Sequence, residues 1–124
     1  MDLLCVANWS EGREGKTVRA IREPLYEFGC RVHFAKGDCD HNRLVTAFSG
    51  PEFLVKRTIV SCADAAFMRI DMRKHSGVHP RIGALDVCPF ILLDGDESEA
   101  KKWVDGIARE IPGRYFRGRA SLSA

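Results

Sequence analysis

Apolar residues in this chain fall into two kinds of run: short and nearly continuous, or long and spaced every third or fourth position. The first kind predicts strands and the second predicts helices buried along one stripe. Residues 3–8 form a run of the first kind, closed by the turn Trp9-Ser10-Glu11-Gly12. From Lys16 onward, Val18, Ile21, Leu25 and Phe28 keep helical spacing. Pro24 lies inside that pattern, so the helix kinks or begins again there, and Gly29 stops it. Residues 31–35 alternate around Val32 and Phe34 and predict a strand, whereas residues 37–42 are turn formers throughout.

Residues 44–48 predict the next strand, which Ser49-Gly50 ends. Pro51 suits the first turn of a helix over residues 53–70, which is apolar around much of its circumference and therefore largely buried. Residues 84–93 are almost continuously apolar, the mark of a central strand, although Pro89 within them demands a bulge or an edge. After the turn Asp94-Gly95-Asp96, either Asp96 or Ser98 caps a helix with the face Ala100, Trp103, Val104, Ile107, Ala108 and Ile111. Pro112-Gly113 ends it, and Tyr115-Phe116 opens a last strand.

The resulting order, β-α-β-β-α-β-α-β, begins with the six elements of a split β-α-β unit. The expected class is α+β: a ferredoxin-like split β-α-β sheet with helices packed on one face. No repeat or linker interrupts it, so residues 1–124 are read as a single domain.

Composition narrows the function classes only a little. With 45% hydrophobic and 29% charged residues, the chain has the make-up of an ordinary globular domain. A net charge of +2 does not by itself argue for nucleic acid. The end of the chain is more basic, with Arg109, Arg114, Arg117 and Arg119 against Glu110, and reads either as an anion-attracting segment or as a poorly ordered tail. Cys5, Cys30, Cys39, Cys62 and Cys88 are odd in number and scattered, which excludes a disulfide framework or a zinc knuckle and points to a reducing compartment, most simply the cytoplasm. No segment has the signature of a signal peptide or the ~20 apolar residues of a membrane span.

Three irregular segments carry more chemistry than a turn requires: residues 8–12, residues 38–43, and the loop from Arg73 to Gly83. The last places His75, His79 and three cations between a long helix and a buried strand, with Gly77, Pro80 and Gly83 shaping the backbone. An imidazole held on a loop between rigid elements suits proton transfer near neutral pH. Together the segments supply a base, carboxylates, amides and guanidinium groups, enough to hold a charged organic substrate.

Four stretches resemble one family. Asn8-Trp9-Ser10-Glu11-Gly12, Asp40-His41-Asn42-Arg43, Phe48-Ser49-Gly50-Pro51 and the long segment Gly77-Val78-His79-Pro80-Arg81-Ile82-Gly83-Ala84-Leu85-Asp86-Val87-Cys88-Pro89-Phe90 look like the amino-terminal subdomain of glutamate formiminotransferase. The resemblance covers essentially the whole chain, and the His-Pro-Arg-x-Gly-Ala-x-Asp-Val stretch is its most specific part. It implies transfer of a formimino group from N-formiminoglutamate to the N5 nitrogen of tetrahydrofolate, a co-substrate, in histidine degradation and without a metal. It places the general base on His79, and it implies that Arg81 and Arg43 orient carboxylates while Asp40 and His41 meet polar edges of the substrates; Asn8 and Asn42 either do the same or cap turns. Asp86 reads as structural and His75 as a solvated neighbour.

The sequence departs from the family pattern at Val78, where glutamate is common, and at Ala7 and Trp9, where proline and phenylalanine are usual. The family also continues into a second subdomain that shares the folate cleft. The expectation is therefore a homodimer or a separate second-subdomain chain completing the site, with folate and formiminoglutamate as small-molecule partners, no membrane and no nucleic acid. The alternative is a non-catalytic folate-binding or protein-interaction module that keeps half of the cleft. A metal enzyme built from His33, Asp38, Asp40, His41, His75 and His79 lacks the helical spacing such sites use.

Overall fold

The computed structural model describes residues 1–70 and 85–111, and for 116–123 the path and pairing of the backbone. The strands are β1 (Asp2–Trp9), β2 (Arg31–Asp38), β3 (Arg43–Pro51), β4 (Leu85–Asp94) and β5 (Phe116–Ser123); the helices are α1 (Gly15–Arg22), α2 (Glu52–Arg69) and α3 (Glu97–Glu110). The fold is α+β. One sheet runs in the order β2-β3-β1-β4-β5. β3 is antiparallel to both β1 and β2, so β1 and β2 run the same way with β3 inserted between them. β4 lies antiparallel on the other side of β1, and β5 joins β4 in parallel. A parallel neighbour requires a crossover, which α3 supplies.

Local chemistry explains the boundaries. Glu14 caps α1, its carboxylate accepting the backbone N–H of Lys16 at 3.1 Å and of Thr17 at 2.7 Å. The α-helix stops at Arg22, and Pro24 opens a short 3-10 turn over Glu23–Tyr26, so the chain does begin again at the proline. Gly29 follows in the left-handed region, with φ of 92°, where glycine avoids the Cβ penalty. Of the two candidate caps for α3, Asp96 is the one used, through Glu99 N–H at 3.0 Å.

Four expectations need correction. Ser49 and Gly50 do not end β3, which continues to Pro51 because both stay paired with Leu4 and Leu3 of β1. Pro89 sits at neither an edge nor a bulge. β4 is flanked by β1 and β5; the β1–β4 irregularities fall at Asp2/Leu3 and Asn8/Trp9, and the assigned pairs simply pass from Cys5↔Phe90 to Asn8↔Val87. The ladder absorbs the missing N–H by leaving the intervening positions unpaired. Ala108 lies on the exposed side of α3, whereas Ala100, Val104 and Ile107 are buried. The basic end is no loose tail, because Phe116–Ser123 is a paired strand.

Leu3, Cys5, Ala7 and Trp9, the alternate residues of β1, are fully buried. They belong to one cluster with Ile21 of α1, Leu25 of the 3-10 turn, Val55, Ile59 and Cys62 of α2, and Val104 and Ile107 of α3. All three helices thus cover the same side of β1. Phe90 meets Trp103 edge-to-face with ring centroids 5.1 Å apart, and Lys56 reaches Glu110 at 2.7 Å to tie α2 to α3. The intervening residues Leu4, Val6 and Asn8 are only partly covered.

Candidate functional site

Paired residues in a sheet share a face, so the register shows what lies opposite the helices. Val6 pairs with Ala47, Asn8 with Val45 and with Val87, Leu4 with Ile91, and Phe34 with Ala47. The uncovered face is therefore an apolar floor of Leu4, Val6, Val45, Val87 and Ile91. Phe34 stands at its margin, 40% exposed, with the Lys36 ammonium 5.9 Å from its ring centroid.

At one end of this floor the polarity changes. Asn8 is placed there by the last turns of the β1 pleat, and Arg43, two residues before Val45, falls on the same face of β3. Among the described residues the Arg43 guanidinium makes no hydrogen bond or ion pair. A half-buried cation of this kind, beside an amide and an apolar surface, suits an anionic group on a largely apolar ligand. β4 enters the sheet at this same end, since Leu85 pairs with Trp9. Asp86, at the adjoining irregularity of β4, is buried to 3% exposure.

The β1–α1 loop and the β2–β3 turn meet at this end and interlock. Gly12 donates its backbone N–H to the Asn42 side-chain oxygen at 2.9 Å, and the Cys39 thiol lies 3.4 Å from the Gly12 carbonyl oxygen. A Cβ on Gly12 would fall 2.5 Å from Arg43 O and 2.6 Å from Asp38 O, so only glycine permits the approach. The Arg13 guanidinium donates from Nε to the Cys39 carbonyl at 2.6 Å and from its terminal nitrogen to the Asp40 carbonyl at 3.3 Å. Glu11, buried to 6% exposure, accepts the N–H groups of Arg13 and Glu14 at 3.0 and 3.1 Å and fixes the loop from within.

The turn has its own scaffold. Asp38 Oδ1 accepts the N–H groups of Asp40 and His41 at 3.0 and 3.3 Å, while Oδ2 meets His41 Nδ1 at 2.5 Å. The backbone N–H of His41, followed by its imidazole, holds the Asp38 carboxyl below its ordinary range. Asn42 completes the turn at φ of 52°, a left-handed conformation that asparagine tolerates better than most residues.

The candidate residues thus divide. Asn8 and Arg43 come together on the open face. Asp40 is exposed on the turn, the His41 imidazole is turned onto Asp38, and Asn42, 4% exposed, is folded inward onto Gly12. His79, Arg81 and His75 lie outside the described residues. His33 is remote from the turn and bonds Ser49 Oγ at 2.8 Å, and among the described residues no group of three His, Cys, Asp or Glu side chains is gathered as for a metal. Sequence reasoning passed over Arg13 and weighed Asp38 only as a metal ligand. The Asp-x-Asp-His spacing signals the Asp38 turn, but nothing in the sequence signals the two bonds from Arg13 to backbone carbonyls.

Comparison with known proteins adds the chemical context. The family whose model the chain matches is described as the formiminotransferase domain, N-terminal subdomain, and the match runs over residues 3–116. Among curated proteins the chain is 42% identical over 92 residues to the formimidoyltransferase-cyclodeaminase of Rattus norvegicus, covering 73% of this chain and 17% of that protein. It is 37% identical over 113 residues to that of Mus musculus, covering 86% of this chain and 21% of that protein. The glutamate formimidoyltransferase of Streptococcus pyogenes serotype M1 is 33% identical over 88 residues, covering 70% of this chain and 29% of that protein. The chain therefore spans less than a third of the length of these relatives.

Proposed function

The chain belongs to the formiminotransferase family, as its N-terminal subdomain, and from that premise we propose that it supplies one wall of a site that moves a formimino group from N-formiminoglutamate to N5 of tetrahydrofolate. The observation that carries this reading is the meeting of Asn8 and Arg43 over an apolar floor, at the end of the sheet where β4 begins. A folate offers a flat ring system to such a floor and carboxylates to such a guanidinium.

The chemistry requires a proton acceptor. As the secondary amine N5 attacks the formimino carbon, a C–N bond forms and N5 must lose its proton; the bond to the glutamate nitrogen then breaks, and that nitrogen takes up a proton as it leaves. His79 is the residue assigned to accept the first proton and return the second, as a neutral imidazole within reach of N5 can do. Arg43 and Arg81 orient the carboxylates, Asn8, Asp40 and His41 line the polar rim, and Asn42 backs that rim from its place on Gly12. Rate enhancement here rests on positioning two substrates, so a second wall is required, from a second subdomain or from another copy of the chain. Among the described residues no helix is long and apolar enough to cross a membrane, and the cysteines are free thiols, which supports a reducing, cytoplasmic setting.

Val78, beside His79 where glutamate is common in the family, favours one second reading, a module that binds folate without turning it over. Calorimetric titration of 5-formyltetrahydrofolate into wild type and His79→Ala, followed by a transfer assay with formiminoglutamate, tests both. Saturable binding with transfer that His79→Ala abolishes, the fold remaining intact, is the expected result. Binding without transfer establishes the module, and absence of binding at millimolar ligand rules out a folate site on this chain alone.

A further inference from the structure

We infer that Arg13 is a positioning residue: it latches the β2–β3 turn through two backbone carbonyls and so fixes the rim on which Asp40, His41 and Arg43 stand. This inference rests on the proposed site for its consequence in ligand binding, but the latch itself rests on geometry alone. Arg13 lies in the β1–α1 loop, 26 and 27 residues from its acceptors. Its Nε–H bonds the Cys39 carbonyl at 2.6 Å and its terminal nitrogen bonds the Asp40 carbonyl at 3.3 Å. Both acceptors are exposed main-chain groups that water would otherwise satisfy. A charged planar donor is what allows the contact to compete with water, since charge-assisted bonds are shorter and stronger than neutral ones.

The fork is specific to arginine. Two acceptors on successive residues match two donors fixed in one plane, whereas the lysine ammonium is a point charge on a flexible stem. The base of the latch is equally constrained. Glu11 fixes the Arg13 amide, and Gly12, immediately before it, packs against the backbone of Asp38 and Arg43 and donates to Asn42. The guanidinium therefore leaves a rigid loop and grips the outer side of the turn, while Gly12 holds the inner side. Arg43 begins β3 directly after that turn, so a loosened turn frees the first residue of the strand that carries the ligand-facing cation.

Arg13 touches backbone in this arrangement, and its role is exerted through Asp40, His41 and Arg43. The two arginines of the rim thus have separate tasks, one turned to the chain and the other to the open face.

The test compares wild type, Arg13→Ala, Arg13→Lys and Arg19→Ala by amide hydrogen exchange without ligand and by 5-formyltetrahydrofolate titration. Arg19 is an exposed cation on α1 and serves as the charge control. Arg13→Ala and Arg13→Lys are each expected to speed exchange over residues 39–43 about tenfold or more and to weaken folate binding about tenfold, with little change in melting temperature. Arg19→Ala is expected to change neither. Unchanged exchange in Arg13→Ala overturns the latch. Wild-type behaviour of Arg13→Lys, or equal loss in Arg19→Ala, reduces the effect to net charge and also overturns it. Faster exchange with unaltered folate affinity overturns the positioning role. If wild type binds no folate, the proposed function fails while the exchange comparison still decides the latch.

Discussion

The two faces of β1 make an instructive pair. On the helix side, Leu3, Cys5, Ala7 and Trp9 are sealed in the core, with the Trp9 indole N–H donated to Thr46 Oγ at 3.0 Å. On the other side, Leu4 and Val6 are as apolar as their neighbours yet only partly covered, and only the end positions Asp2 and Asn8 are polar. An antiparallel sheet with one wetted face usually alternates apolar and polar residues. β2, at the edge, comes closer to that rule with Arg31, His33, Lys36 and Asp38. The central strands break it, since Leu4 and Val6 leave an apolar second face that is only partly covered.

The sharpest way to separate the faces is truncation on each. Phe48→Ala, which empties a fully buried site opposite Cys5, is expected to cost about 3–5 kcal/mol in denaturant unfolding. Val6→Ala on the open face should cost well under half of that; equal losses would mean that the open face is as tightly packed as the core. Gly12→Ala comes next. Its Cβ would meet backbone rather than a flexible side chain, so a loss of about 1–3 kcal/mol is expected, together with faster exchange in residues 38–43. Neutral behaviour there would show that the two loops move apart freely.

A charge placed on the floor, Val45→Glu, is expected to change unfolding by only about 0.5–1 kcal/mol. It should nevertheless abolish folate binding or association through that face, read by titration and sedimentation. Smallest is the acid response of the rim. Asp38 is held below its ordinary value of 3.8 by the His41 amide and then its imidazole, so its contribution to the turn is present above that value and is lost as pH falls through the lowered one. The Asp40 and His41 amide resonances should titrate with a midpoint below 3.8, and Asp38→Asn should erase that step.

Much of the fold was readable because single residues carried the decision. The spacing of Val18, Ile21 and Leu25, the restart at Pro24, the Asp96 cap and the apolar run of β4 each act locally, and local rules found them. What escaped was set by tertiary context. Ser49 and Gly50 have turn chemistry, but pairing with β1 on one side and the His33 bond to Ser49 keep them extended. Pro89 is tolerated in a central strand because pairing with β1 lapses beside it. At the site, the resemblance put forward Asn8, Asp40, His41, Asn42 and Arg43, and the register brings Asn8 and Arg43 to one face. Asn42, read either as meeting a polar substrate edge or as capping a turn, offers its side-chain oxygen to Gly12. Arg13 was invisible because a guanidinium that binds carbonyls has no sequence partner to betray it.

The place of β1 in the sheet has a consequence for synthesis. Both of its neighbours come later in the chain: β3 ends at Pro51 and β4 at Asp94. At about 5–20 residues per second, translation leaves one edge of β1 without its native partner for several seconds after the strand leaves the ribosome. During that interval Leu3-Leu4-Cys5-Val6-Ala7 is an apolar ribbon with open hydrogen-bonding groups, the kind of segment that other chains pair with. The yield of the protein should therefore depend on translation rate more than its final stability suggests.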